Sequence, residues 1–135
     1  LTFHPKYWVW WEFYRFEKKW EYKLFSKYWS RIYEINEGDN PYKFVTIMAA
    51  YNPKCKLTFT MKKMIKSNGI DITYNGLRVK SSKPMLKILL GECVEACVDK
   101  DIMIDIETKW NKKWKNHQGI RLYNFDTNGD YDEDD

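Results

Sequence analysis

Three features of the sequence predict an α/β domain. Aromatic and apolar residues recur at helical spacing over residues 5–35, which predicts a long N-terminal helix. Apolar and polar residues alternate in stretches between residues 43 and 74, which predicts strands. A second stretch at helical spacing, 84–98, precedes an alternating stretch over 101–108. The predicted order is therefore helix, three strands, helix, strand, a basic loop or helix, and a last strand.

The N-terminal stretch is predicted as one helix. It contains no Gly, and its only Pro is Pro5, which suits the first helical turn. The sequence Asn36-Glu37-Gly38 suits a C-terminal stop. Aromatic residues occupy two faces of this helix, so one face packs on the domain and the other packs on a partner or again on the chain itself. We expect residues 1–42 to form an aromatic helical extension.

The next segment is predicted to contain three strands. Residues 38–42 are a loop by their turn chemistry, and 43–50 is a buried strand. A turn at 51–54 leads to a strand over 55–61 that has one face in water. A third strand, 70–74, ends at Asn75-Gly76, a strong signal for a tight turn.

The C-terminal half is predicted to open with a helix over 84–98. Pro84 suits the first turn, and Ser81 or Ser82 can act as the cap. The alternating isoleucines of 101–108 predict a strand, 109–118 is a basic stretch that contains two tryptophans, and 119–125 is a last short strand.

Composition excludes several classes of protein. The chain has 135 residues, of which 18% are aromatic and 31% are charged, and a disordered chain contains few aromatic residues. No run of apolar residues is long enough to span a bilayer. The net charge of +4 is unevenly distributed, because residues 126–135 contain six acids and no base. The rest of the chain holds 23 bases against 13 acids, which predicts a basic body and an acidic tail.

The basic residues concentrate in 54–87, which holds nine bases and a single acid, Asp71. Such a stretch is either a footprint for a phosphate backbone or a solvated basic face. Arg78, Lys80 and Lys83 precede the predicted helix start, where free backbone N–H groups would complete a phosphate site. The predicted RNA-binding residues are Lys54, Lys56, Lys62, Lys63, Arg78, Lys80, Ser82, Lys83, Lys112 and Lys113.

Trp110 and Trp114 lie among lysines in the basic stretch 109–118. They either stack on unpaired bases or cap the protein core.

The sequence shows no catalytic machinery. His4 and His117 have no nucleophile motif beside them. Cys93 and Cys97 lie four residues apart on the predicted helix, but two thiolates do not make a structural zinc site, and core packing is the favoured interpretation. The three cysteines indicate a reducing compartment. We expect no enzyme activity, no catalytic residue, no metal and no cofactor.

In the order and spacing of its motifs, the chain resembles the ribosomal platform family, small-subunit ribosomal protein eleven. The matching residues are the run KFVTIMAAYNPKCKLTFTMKK with its turn at 51–54, the loop NGLRVKSSKP, the helix and isoleucine strand predicted after it, and Gly119-Ile120-Arg121-Leu122. The resemblance covers 43–126. It implies a mixed sheet flanked by helices, of the ribonuclease-H-like kind, in a structural constituent of the small subunit. Such a protein binds ribosomal RNA on the platform near the messenger RNA exit.

The two ends of the chain depart from that family. The family ends in a basic tail, so its RNA contacts are not transferred to the acidic residues 126–135. The aromatic extension, together with richness in Lys, Ile, Asn and Tyr, resembles proteins of protist mitochondrial ribosomes, which implies the mitochondrial matrix, with the cytoplasm as the alternative. The expected partners are ribosomal RNA, and neighbouring ribosomal proteins through 5–35 and the tail.

The predicted organisation is an extension (1–42), an α/β RNA-binding domain (43–125) and an acidic tail (126–135). A different class of function fits the same charges. Basic grooves, stacking aromatics and an acidic tail occur together in single-strand binders, so a phage or viral protein that binds nucleic acid or blocks a host protein is the alternative.

Overall fold

The protein, described here as a computed structural model over residues 1–15 and 18–129, is an α/β fold with one mixed sheet. Its elements in chain order are β1 (Thr2–Phe3), α1 (Tyr7–Tyr14), β2 (Trp20–Leu24), α2 (Lys27–Asn36), β3 (Phe44–Met48), β4 (Cys55–Tyr74), β5 (Leu77–Val98), α3 (Lys100–Trp114), β6 (Arg121–Asn124) and α4 (Phe125–Asn128). The predicted mixed sheet with flanking helices is confirmed.

The sheet is built around the long β4–β5 hairpin. Its strand order is β1-β3-β4-β5-β2, and β6 also pairs with β5. The β1–β3 and β5–β6 pairs are parallel, whereas the other pairs are antiparallel. One edge of β5 pairs with β4 throughout, and its other edge takes β6 at residues 77–80 and β2 at residues 85–89.

The prediction of one N-terminal helix is wrong. Residues 5–35 contain α1, β2 and most of α2. Ser26 begins the second helix, because its side chain accepts a hydrogen bond from the Trp29 N–H. Apolar and charged residues alternate along Trp20–Leu24, but the stretch is only five residues long and its aromatic residues also fit the helical spacing of the segment. Both charged residues, Glu21 and Lys23, are buried.

The predicted extension is joined to the rest of the sheet. β1 pairs with β3 and β2 pairs with β5, so residues 1–42 supply two strands. Half of the described aromatic side chains of this segment are buried in the core: Phe3, Trp8, Trp10, Trp11, Phe13, Tyr22 and Trp29. The sequence left open whether the second set of aromatic residues packs on a partner or on the chain itself. For these seven residues, the structure shows packing in the chain's own core.

The predicted helix over 84–98 is wrong, since this segment is the second half of β5. Leu86, Ile88 and Leu90 are buried, but apolar residues also occupy outward positions, such as the half-buried Leu89 and the exposed Val94, so the sequence shows no alternation of apolar and polar residues. Pro84 is tolerated because it lies beside the register shift that follows Asn68, where a missing N–H does not interrupt the ladder.

The predicted strand over 101–108 is also wrong, because these residues belong to α3. Asp99 caps this helix by accepting hydrogen bonds from the N–H groups of Asp101 and Ile102. Its inner face is formed by Ile102, Ile106, Trp110 and Trp114, which recur every four residues, whereas Ile104 is 55% exposed.

Several local predictions are confirmed. β3 lies within 43–50, β6 lies within 119–125, and the predicted strands 55–61 and 70–74 are the two ends of β4. Asn75 and Gly76 form the two-residue turn between β4 and β5, with φ values of 46° and 75°. Both residues adopt positive φ, as a type I′ turn requires.

Candidate nucleic-acid interface

The candidate interface is the cationic hairpin, which we define as the nine bases of β4, β5 and the turn before β4. None of these side chains is buried: Lys54, Lys56, Lys62, Lys63, Lys66, Arg78, Lys80, Lys83 and Lys87. Asp71 is the only acid within residues 54–87, and it accepts two hydrogen bonds from the Arg78 guanidinium, at 2.8 and 2.7 Å. These bonds lower the pKa of Asp71 below its ordinary value. The far end of β5 adds two exposed acids, Glu92 and Glu95. Among the described residues, the other eight bases form no ion pair within 4 Å.

The structure brings some of the predicted RNA-binding residues together. Arg78 and Lys80 lie two positions apart on β5 and are exposed, whereas Leu77 and Val79 between and beside them are buried. Alternate residues of a strand share a face, so these two cations project from the same side of the sheet. Ser82 and Lys83 follow them along the strand and are also exposed.

The remaining predicted residues are spread along the molecule. Lys56 pairs with Cys97 at the open end of the hairpin, whereas Arg78 lies beside its tip. The 20 residues of β4 separate these ends by a strand path of roughly 60 Å. Lys54 and Lys56 are therefore far along the strand from residues 78–83. Lys62 and Lys63 lie midway, where register shifts leave both side chains exposed.

Lys112 and Lys113 lie on the last turn of α3, which follows the two hairpin strands in sequence. Lys112 is exposed. Lys113 lies over the rings of Trp8 and Trp114, at 5.5 and 5.3 Å from their centroids. Burial, followed by the charge of Lys6, lowers the pKa of Lys113. Lys113 therefore packs on the aromatic core as well as carrying charge.

The predicted phosphate site at a helix start is wrong, because no helix begins at residue 84. The backbone donor that should serve it is engaged by the protein itself. The Ser82 N–H donates to both carboxylate oxygens of Asp126, at 3.1 and 3.0 Å, and the Ser81 hydroxyl donates to one of them at 3.4 Å. The Ser82 hydrogen bonds are the main reason that the pKa of Asp126 is lowered. A carboxylate at the start of the acidic segment thus occupies an anion position beside Lys83.

Trp110 and Trp114 are half-buried and pack against the core. The guanidinium of Arg121 lies over both rings, at 5.7 and 4.8 Å from their centroids. Trp114 also contacts the ring of Trp8 edge-on at 5.8 Å. This arrangement agrees with the core-capping interpretation of the two tryptophans and leaves little open ring surface on Trp114 for a base.

The sequence did not predict that a group of charged side chains is buried: Glu12, Lys18, Glu21, Lys23 and Arg121. Arg121 donates to Glu12 at 3.1 Å, and their side chains are 9% and 3% exposed. Lys18 donates to the Trp20 carbonyl, and its ammonium lies over the rings of Phe13, Tyr22 and Tyr74. Burial lowers the pKa of Lys18 to about 8, although the charges of Glu21 and Glu12 oppose that shift. In the sequence, Lys18 is a charged residue at a position where the helical spacing of residues 5–35 would place an apolar one.

Within residues 1–15 and 18–129, no group of three or more His, Cys, Asp or Glu side chains is arranged to hold a metal ion. Cys93 and Cys97 lie on β5 rather than on a helix, and Cys55 is buried. No helix in the described part of the chain is long and apolar enough to cross a membrane.

In comparisons with known proteins, no family model, no curated protein and no solved structure matches the chain.

Proposed function

We propose that this protein binds RNA through the cationic hairpin and does so without catalysis. The observation that carries the proposal is the excess of cations: nine surface bases lie on the hairpin and the turn before it against three acids, Asp71, Glu92 and Glu95, and Asp71 is paired with Arg78. Cations spread along an extended, rigid element suit a phosphate backbone, because each contact releases a condensed counterion. Recognition would then depend on the spacing of phosphates rather than on base edges.

A narrower proposal is that the protein is a structural constituent of the small ribosomal subunit, on the platform near the messenger RNA exit. It rests on the resemblance in the turn at 51–54 and the loop at 76–84, and it includes a ribonuclease-H-like fold and a mitochondrial ribosome. The presence of a strand at 84–98 and a helix at 101–108 removes two of the elements on which that resemblance relied. The general RNA-binding proposal does not depend on them.

The alternative proposal is a phage or viral protein that binds nucleic acid. The observation that favours it is the contact between Asp126 and the Ser82 N–H, since the acidic segment begins at the cationic hairpin. An acidic tail held there would compete with the phosphates of a nucleic acid.

Charge-neutralising variants test the general proposal. We expect the triple variant Lys62→Gln, Lys63→Gln and Lys80→Gln to make the salt dependence of RNA binding weaker. The negative slope of the logarithm of the association constant against log salt should become less steep by about two, because about 0.7–0.9 of a counterion is released per phosphate contact. Fluorescence anisotropy with a structured RNA, measured at several salt concentrations, gives this slope.

The matched control removes three exposed lysines outside the hairpin, Lys27, Lys43 and Lys100, also by substitution with Gln. We expect its salt slope to stay close to that of the parent protein. If the salt slope changes equally in both triple variants, then the net charge of the protein, and not the hairpin, governs RNA binding. Sedimentation of the native protein with a ribosomal particle, or as a small species, separates the ribosomal proposal from the viral one.

A further inference from the structure

One edge of β5 has a gap between its two neighbouring strands. β6 pairs with residues 77–80 and β2 pairs with residues 85–89, so neither strand covers residues 81–84. Every second N–H of a strand points to the same edge, and Pro84 has no N–H. Ser82 therefore supplies the backbone donor in this gap, and a side chain accepts from it in place of a neighbouring strand.

That side chain is a carboxylate. Both oxygens of Asp126 accept from the Ser82 N–H, at 3.1 and 3.0 Å, and the Ser81 hydroxyl donates to one of them at 3.4 Å. Ser82 is exposed, so the position is open to solvent. The gap thus already holds an anion in the folded protein, and that anion belongs to the chain itself.

Two lysines make this position cationic. Lys80 lies two residues before Ser82 on the same strand, so both project from one face of the sheet, and Lys83 follows directly. Both lysines are exposed, and within the described residues neither forms an ion pair. Hydrogen bonds from Ser82 are the first cause of the lowered pKa of Asp126, and the charge of Lys83 is a smaller one, so an anion at this position is attracted to that lysine.

The Asp126 side chain can leave this position without unfolding the turn that carries it. The backbone of α4 is held by other contacts. The Phe125 side chain is buried in the core, and the Asn124 side chain accepts the Asp126 N–H at 3.0 Å. The Tyr123 hydroxyl donates to the Gly129 carbonyl at 2.8 Å. None of these contacts involves the Asp126 carboxylate, so rotation of one short side chain opens the position.

We propose that the Ser82 N–H, with Lys80 and Lys83, binds a phosphate of the RNA, and that Asp126 occupies the same position when no RNA is bound. This inference rests on the proposed RNA binding and adds an exchange of anions to it. A diester phosphate carries one negative charge and two oxygens outside its ester bonds, so it can accept from the same N–H as a carboxylate. It can also approach both lysines, with which Asp126 forms no ion pair. Asp126 therefore competes with RNA for this position.

The test is RNA binding by the full chain with Asp126→Asn, which keeps the shape of the side chain and removes its charge. A hydrogen bond to a charged acceptor is stronger than one to a neutral amide, so the variant should release the Ser82 N–H more readily and bind RNA about fivefold tighter. The negative slope of the logarithm of the association constant against log salt should become steeper by about 0.7–0.9, because the phosphate then adds a contact instead of exchanging with another anion. Fluorescence anisotropy at several salt concentrations, with the RNA used for the hairpin variants, measures both.

Glu95→Gln is the matched control. It makes the same change in net charge by removing an exposed acid from the other end of β5. Because salt screens charges at that distance, we expect it to change the RNA affinity by less than about twofold.

The backbone amide of Ser82 gives a second readout that depends on no variant. In heteronuclear NMR spectra of the parent protein, RNA at saturation should shift the Ser82 amide resonance, because its acceptor changes from a carboxylate to a phosphate. An unmoved Ser82 resonance, or an Asp126→Asn variant that gains no more affinity than Glu95→Gln, overturns the exchange. If the parent and both variants bind RNA alike, only this inference fails, whereas absence of RNA binding by all three removes the proposed function as well.

Discussion

At the scale of single residues, the unusual feature is that aromatic rings surround buried ammonium groups. Lys18 lies 4.5 Å from the ring centroid of Tyr22, and Lys23 lies 5.1 Å from that of Phe3 and 5.7 Å from that of Trp29. Ring faces attract cations, which offsets part of the cost of removing them from water. Part of the aromatic content thus serves to hold charge inside the core.

The lowered pKa of Lys18 predicts a dependence of stability on pH. With a folded pKa of about 8 and an unfolded value near 10.4, the unfolded chain binds more protons between these two values, so stability rises with pH across that window. The rise should reach about 3 kcal/mol, and Lys18→Met should remove it. Urea unfolding of both proteins at pH 7, 8, 9 and 10 measures the difference.

The comparison with Lys18→Met is needed because other groups act in the opposite direction. Burial raises the pKa of Cys55, Tyr22 and Tyr74, so their contribution to stability falls as pH rises through the unfolded values of these groups. These groups are the same in both proteins and cancel in the difference. Parallel pH profiles for the two proteins would contradict a buried, charged Lys18.

At the scale of elements, the β4–β5 hairpin is shaped by its irregularities. The register shifts at four places between Thr58 and Ile70, and each shift changes which side chains face the core. β3 covers the outer edge of β4 only along Lys56–Thr60. Exposed lysines beyond that stretch protect an open edge from pairing with another chain, which gives Lys62, Lys63 and Lys66 a physical role that does not depend on the proposed RNA binding.

Gly91 permits the close approach of the two strands at one of these shifts. A Cβ at this position would collide with the Thr60 hydroxyl, which also accepts the Glu92 N–H at 3.0 Å. We expect Gly91→Ala to lower the free energy of unfolding by about 1–3 kcal/mol, as overpacking does. Thermal or urea unfolding measures the loss.

Removing the colliding hydroxyl is the control for this prediction. The double variant Gly91→Ala and Thr60→Ala should recover part of the loss, because only the wider contacts with the Thr60 carbonyl and the Lys62 side chain remain. If Gly91→Ala unfolds like the parent protein, the strands are farther apart than the structure shows.

At the scale of the whole molecule, a buried ion pair joins the two ends of the chain. Glu12 of α1 and Arg121 of β6 are 109 positions apart in sequence, and their contact closes the core around Trp110 and Trp114. The same region contains Trp8, which contacts both Trp114 and Tyr123. The N-terminal segment is therefore an integral part of the fold.

Arg121→Met should lower the free energy of unfolding by about 3–5 kcal/mol, because it removes the cation that donates a hydrogen bond to the buried Glu12 carboxylate. The double variant Glu12→Leu and Arg121→Met removes both charges, and we expect it to recover most of that loss. A double-mutant cycle from urea unfolding measures the coupling. Additive losses would show that the pair does not interact in the folded protein.

The sequence predicted the elements whose conformation depends on neighbouring residues, and it failed where contacts between distant residues decide the structure. The turn at Asn75-Gly76, the strands β3 and β6 and both ends of β4 were predicted correctly, because backbone conformation there follows local residue chemistry. For the cationic hairpin, the segregation of charge is a property of the sequence and the exposure of its lysines follows from their hydration. The spread of the predicted site along some 60 Å of strand was invisible, because it required β4 to run unbroken through residue 74.

By itself, the sequence determined the basic body, the acidic tail and the tight turn that joins β4 to β5. Only the tertiary structure decided that 84–98 is a strand and 101–108 a helix. In 84–98 apolar residues occupy exposed as well as buried positions, and the face that packs α3 on the core continues past residue 108 to Trp110 and Trp114. The tertiary structure also decided that Asp126 takes the Ser82 N–H and that half of the described N-terminal aromatics lie inside. The physical reason is common to all of these: contacts between residues distant in the chain set the burial of each segment, and burial overrides local preference.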